Sequence, residues 1–229
     1  EGTSRFFRPS NGWLHYDWKY QGNTYTINKT FPITPRALCE VLFAPDHVRV
    51  WTKTAYILSG GHNVDLRVGD DHELIVRTYL AQTEFVYIPR PLYFHRVRGT
   101  NTSDAHVPEI QEISRSTRNK YFRDLVIEWC RRNYLPMLDL GGAHSCPQNF
   151  IPVDKNPTVL DNPLGIHGDI LDTDLRFRDG TLIQPNSIGC IRASDFLEHV
   201  PPARIPELMN RLHSLLVPNG YLLTHTPST

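Results

Sequence analysis

From Leu135 onward one pattern recurs: a short apolar run, an acid or small residue at its end, then a connection. "PMLDLGG" reads as a buried strand entering a turn, and "NFIPVD" as a second strand ending in an acid. "IHGDIL" reads as a third, "SIGCIRAS" as a fourth and "YLLTHT" as a fifth. Before the last strand, "ARIPELMNRLHSLLVPNG" puts Ile205, Leu208, Met209, Leu212, Leu215 and Leu216 on one face of a helix, with Asn219-Gly220 as its stop. Short apolar strands separated by connections favour a parallel sheet buried on both faces. Of all the features in the chain, this one leaves the fewest folds open.

The loop of "LDLGGAHSCPQNFIPVD" (138–154) narrows the ligand. In an open parallel sheet, ligands bind beyond the carboxyl ends of the strands, where the strand order reverses. Gly141 and Gly142 let the backbone turn sharply and approach a ligand closely. The spacing is not that of a dinucleotide fingerprint, and Pro147 offers no good helix start for gripping a pyrophosphate. Asp154, at the end of the second strand, suits a ribose diol. These residues fit a ligand with a ribose and no phosphate grip, a description that S-adenosylmethionine meets.

Residues 135–229 resemble the class I SAM-dependent methyltransferases, especially the small type of bacterial surface-polysaccharide clusters. The matching stretches are "LDLGG", "VD" (153–154), "GDIL" (168–171), "ASDFLEHV" (193–200), "LVPNGYLL" (216–223) and "TPST". The resemblance implies a Rossmann-like domain in which Asp139 and Gly141 line the methionine end of the cofactor. It implies that Asp154 binds the ribose hydroxyls, Asp169 and Ile170 flank the adenine, and Ser194 lies under the sulfur. The third glycine of the family's first motif is absent. His199, after Glu198, is the candidate general base, with a capping or structural role as the other reading. Methyl transfer depends mainly on alignment and needs a base only where the acceptor must lose a proton.

Residues 1–103 are written differently, rich in aromatics, proline and short strand-like runs. In the stretch 43–80, Gly60-Gly61 makes a tight turn, and Asp70 and Asp71 open an amphipathic helix. Acids there suit the helix dipole, and paired carboxylates also suit deprotonation of a hydroxyl. Trp51, Lys53, Ala55, Tyr56, Gly60, Gly61, Asp70, Asp71, Glu73, Leu74 and Arg77 together resemble the C-terminal part of family 2 glycosyltransferases of the GT-A fold. "YIPRPLYFHRVRGTNTS" (87–103) is similar to that family's closing strands, with Arg98 where the family often has a metal-reaching His. By this resemblance Asp71 is the base that activates an acceptor sugar hydroxyl, with Trp51, Asp70 and Arg77 binding substrate. The family's nucleotide-binding strands and Asp-x-Asp would precede residue 1, and a divalent metal would enter only with them. "DTD" (172–174) lies in the other half and is read as a decoy; no metal site is assigned. Trp13, Tyr16, Trp18 and Tyr20 suit either a core or a surface that stacks on sugars.

Residues 104–133 predict a connecting helix, polar at its start and half buried at its end, between a glycosyltransferase segment and a methyltransferase domain over 134–229. The chain starts at Glu1 without Met and stops just after a strand, which predicts a piece truncated at both ends. Lys+Arg and Asp+Glu are equal at 24 each, so no global field recruits nucleic acid. No run reaches a membrane span, which leaves peripheral membrane association open. Residues 1–20 are polar and aromatic, without an apolar core like that of a signal peptide, and four scattered cysteines read as reduced thiols of a cytoplasmic protein. The expectation is a bifunctional glycan-biosynthesis enzyme taking a nucleotide-sugar donor in its longer form, a glycan acceptor and S-adenosylmethionine. The alternatives are a methyltransferase whose first half is an acceptor-binding platform, and a scaffold without turnover.

Overall fold

The computed structural model describes residues 7–10, 13–29, 33–40, 48–88, 90–94 and 105–225. The stretches 43–47, 95–103 (with Arg98) and 226–229 lie outside the described residues, as do the side chains of Trp13 and Tyr16. The chain forms two compact units, Glu1–Leu125 and Val126–Thr229. The division falls inside the predicted connecting helix, which spans Val107–Arg132.

The first unit carries an antiparallel sheet of β1 (Phe7–Ser10), β2 (Trp13–Tyr20) and β3 (Asn23–Lys29), in that order. Gln21 and Gly22, both at positive φ, close the β2–β3 hairpin in two residues. Three helices follow: α1 (Pro35–Glu40), α2 (Lys53–Leu58) and α3 (Asp70–Leu80). Thr52 caps α2 by accepting from the Ala55 N–H. α3 is the buried element of this unit, with Leu74, Ile75, Val76 and Tyr79 all inside. The long helix α4, Val107–Arg132, runs from this unit into the second.

The second unit is α/β. Its five-stranded sheet joins β4 (Met137–Leu140), β5 (Ile151–Asp154), β6 (Ile166–His167), β7 (Ile188–Ser194) and β8 (Leu216–His225) in the order β6-β5-β4-β7-β8. Every neighbouring pair is parallel. The order runs outward from β4 to one side and then, from β7, to the other. This is the Rossmann-like arrangement, with its switch point between β4 and β7. β4 is buried along its whole length. One sheet face packs on α5 (Ile205–Leu215) through Leu208, Leu212 and Leu215, each about 1% exposed or less. Each such side chain contributes roughly 1.5–3 kcal/mol of transfer free energy.

Three sequence expectations change. The helix stops at Leu215 rather than at Asn219-Gly220, because Leu216 is already extended (ψ 137) and Pro218 disfavours helical backbone at Val217. The fifth strand therefore begins at Leu216 rather than Tyr221, and Asn219 (φ +64°) lies within it. The third strand keeps only Ile166–His167. Asp169 ends it by accepting the Leu171 N–H on Oδ1, closing a turn over "GDIL".

Candidate functional site

The carboxyl ends of the parallel strands bring most of the predicted cofactor residues to one edge. In strand order they are Asp169 after β6, Asp154 ending β5, Gly141 and Gly142 after β4, and Ser194 ending β7. The two glycines are needed for different reasons. Gly141 has φ +73°, and a Cβ there would lie 3.1 Å from Phe196 Cδ2, so the loop after β4 meets the loop after β7. Gly142 is buried, and a Cβ would fall 2.7 Å from Asp139 Oδ2 and 3.0 Å from Pro152 Cβ. Residues 141–150 form turns and bends instead of a helix. Among the described residues, this loop therefore presents no row of helix amides of the kind that grips a pyrophosphate.

Asp154 ties the edge together. Its Oδ2 accepts the Ala143 N–H at 3.2 Å and its Oδ1 the Asn156 N–H at 2.8 Å. Its carbonyl accepts the Gly168 N–H at 3.0 Å. A carboxylate offers about four lone-pair positions, so two remain for an incoming diol. Asp169 pairs with Lys155 at 2.6 Å. Burial pushes the Asp169 carboxyl up, but the Lys155 ammonium and the Leu171 N–H outweigh it and hold it below the usual carboxylate value.

Asp139 is 1% exposed. Its Oδ1 accepts from Arg192 Nη1 at 2.7 Å across the β4–β7 register. It sits beneath Gly142 and faces Cys146, whose thiol is pushed up to about 12 by burial first and by the Asp139 carboxylate second. Its place is under the loop. Ile170 is 4% exposed and belongs to the core cluster. The Ser194 hydroxyl donates to Asp195 Oδ2 at 3.3 Å. His199 is exposed and ends a short 3-10 turn, Leu197–His199, rather than opening a helix. "DTD" is an exposed turn whose Asp172 accepts from the Asp169 N–H and, by its carbonyl, from Arg211.

In the first unit, an open cleft of about 340 Å³ is lined by Val48, Arg49, Trp51, His62, Asp71 and Tyr93. Asp71, the second residue of α3, pairs at 2.8 Å with Arg49, whose side chain is 7% exposed. Asp70 lies 3.8 Å from His62 Nε2. Trp51 donates from Nε1 to Thr78 Oγ1 at 2.9 Å, which fixes the indole against α3. Arg77 points elsewhere. It donates to the Ser59 carbonyl and, at 2.7 Å, to the Gly61 carbonyl. It therefore braces the Gly60-Gly61 turn, whose residues take φ +78° and +66°. Of the predicted substrate residues, Trp51 shares the cleft with the predicted base Asp71, Asp70 approaches it through His62, and Arg77 holds the adjoining turn.

Sequence reasoning missed Arg49, His62, Lys155 and Arg192. Arg49 lies two residues from Trp51, and Lys155 directly follows Asp154, so proximity to a flagged residue was the available signal. Arg192 carried none, because its partner is 53 residues away. Compared with protein-family models, curated proteins and solved structures, the chain matches none.

Proposed function

We propose that the second unit binds S-adenosylmethionine at the carboxyl edge of its sheet and transfers the methyl group to a hydroxyl. The observation that carries this reading is Asp154: an acid ending β5, next to β4 on the side away from the switch point, bonded to the glycine loop and retaining acceptor capacity. The sulfonium supplies an activated methyl when bound. The chain's own residues bind and orient: Asp154 takes the ribose diol, the turns of 141–146 give close backbone approach, and Ser194 and Asp195 face the switch point. In this reading His199, in the short turn after β7, accepts the acceptor's proton. The test is isothermal titration with S-adenosylmethionine. Saturable binding should weaken roughly tenfold or more in Asp154→Asn, since an amide offers only one acceptor oxygen. Wild-type protein that takes up no cofactor at millimolar concentration rules the reading out.

In the same proposal the first unit serves a glycan acceptor in glycosyl transfer from a nucleotide sugar, with Asp71 in the cleft taking the acceptor hydroxyl's proton. The Arg49–Asp71 ion pair also favours a second reading, in which Asp71 holds Arg49 in place to bind an acceptor and transfers no proton. Asp71→Asn separates the two. A proton-transfer role abolishes turnover with acceptor affinity kept, whereas a holding role weakens affinity.

A further inference from the structure

The β2–β3 hairpin has two unlike faces. Trp18, Tyr20 and Tyr25 share one by strand alternation and by the Trp18↔Tyr25 pairing, while Asp17, Lys19, Thr24 and Thr26 take the other. The ring face is not sealed into a core, for Tyr20 is 39% exposed and the neighbouring Phe94 62%. Four rings nonetheless form one ordered array. Trp18 and Tyr20 stack with centroids 4.8 Å apart and planes 13° apart. Phe94 lies 6.1 Å from Tyr20 and meets Tyr25 edge-on at 5.2 Å. Tyr93, the residue before Phe94, lines the Arg49–Asp71 cleft. The ring array and the cleft therefore adjoin along the chain.

We infer that this aromatic face is a binding platform for an extended glycan, holding sugar residues beyond the one that enters the cleft. The inference rests on reading the first unit as glycan-handling. Trp18 and Tyr20 spend one face each on the other, which leaves the exposed Phe94 ring, the outer edge of the stack and the Tyr20 and Tyr25 hydroxyls to match the apolar C–H face and flanking hydroxyls of a pyranose at low entropic cost. Aromatic stacking on a single-stranded nucleic acid would require a cationic groove alongside. By the register Lys19 takes the opposite face, and Lys29, paired with Leu14, stands four residues along the strand from the Trp18↔Tyr25 pair, so the described hairpin lines up no row of cations beside the rings.

The test applies the whole chain to an array of defined oligosaccharides and titrates any binder by tryptophan fluorescence. Saturable binding of at least one oligosaccharide is expected, tightening with length. Trp18→Ala and Phe94→Ala should each weaken it about tenfold or more, and Trp18→Phe should restore most of the loss. Thr24→Ala, on the opposite face, should leave affinity unchanged. Phe94 is mostly exposed, so its variant reads the platform even where Trp18→Ala unfolds the hairpin. Three outcomes overturn the inference: no binding on the array, binding indifferent to both ring variants, or a dimer by light scattering that the ring variants dissolve. Array binding by a protein that neither takes up S-adenosylmethionine nor transfers sugar would sink the enzymatic reading and leave the platform standing.

Discussion

At the residue scale, the second unit depends on a few side chains whose surroundings allow no substitute. A methyl group on Gly142 meets Asp139 Oδ2 and Pro152 Cβ inside van der Waals contact. Gly142→Ala should therefore cost about 1–3 kcal/mol, read from chemical denaturation as a lower midpoint at unchanged slope. Arg192 is the cation for a carboxylate that is 1% exposed. Arg192→Met leaves that charge buried without its cation, an expected loss of about 3–5 kcal/mol. Asp139→Asn in the same chain should recover much of it; a double variant no better than Arg192→Met would show that the pair is not coupled. The glycine pair was legible in the sequence as a turn. That one glycine serves conformation and the other space was not legible, because Asp139 and Pro152 approach Gly142 only through the fold.

At the element scale, the first unit's Gly-Gly turn and α3 act as one piece. Arg77 reaches from α3 to the Ser59 and Gly61 carbonyls, and Glu73 on the same helix accepts from Tyr121 at 3.0 Å. Charge-assisted bonds of this kind are worth roughly 1.5–3 kcal/mol each. Arg77→Ala should lower stability and speed hydrogen exchange at residues 59–62 before it affects ligand binding. At the end of α4, burial pushes the Cys130 thiol up to about 12 from 9.0. A raised thiol value means the folded state favours the protonated form, so this contribution is complete below pH 9.0 and is lost as pH rises toward about 12. Urea midpoints at about pH 8 and about pH 11 should fall more steeply in the wild type than in Cys130→Ala. Glu128, on the same turn of helix, runs the other way. Burial raises its carboxyl, yet hydrogen bonds from Arg131 and Arg132 win and lower it from 4.5. Its contribution is therefore present above that value and declines as pH falls through the lowered one.

At the scale of the whole molecule, the proposed reading gives the two units different ligands. S-adenosylmethionine at a hundred times its dissociation constant should stabilise the state that binds it by about 2.7 kcal/mol. In hydrogen exchange the added protection should gather at residues 141–146 and 154–156 and leave residues 48–80 unchanged. Protection spread equally over both regions would contradict a site confined to the second unit. The parallel sheet, its strand sites and the amphipathic helix were all legible in the sequence, because burial on both faces forces continuous apolar runs and helical packing forces a 3.6-residue period. The end of that helix was misread because Asn-Gly signals a stop as well within a strand as after a helix, and only the backbone at Leu216 and Pro218 distinguishes them. The sequence by itself determined the class of fold, the glycine turns and the acid at the end of the second strand, all of which are encoded in neighbours along the chain. Only the tertiary structure decided that Asp139 lies locked to Arg192 beneath the loop, that Arg49 stands against Asp71, and that Phe94 joins the hairpin's half-covered rings. Those pairings join residues distant in sequence, and their energies depend on distance and burial that the order of residues does not carry.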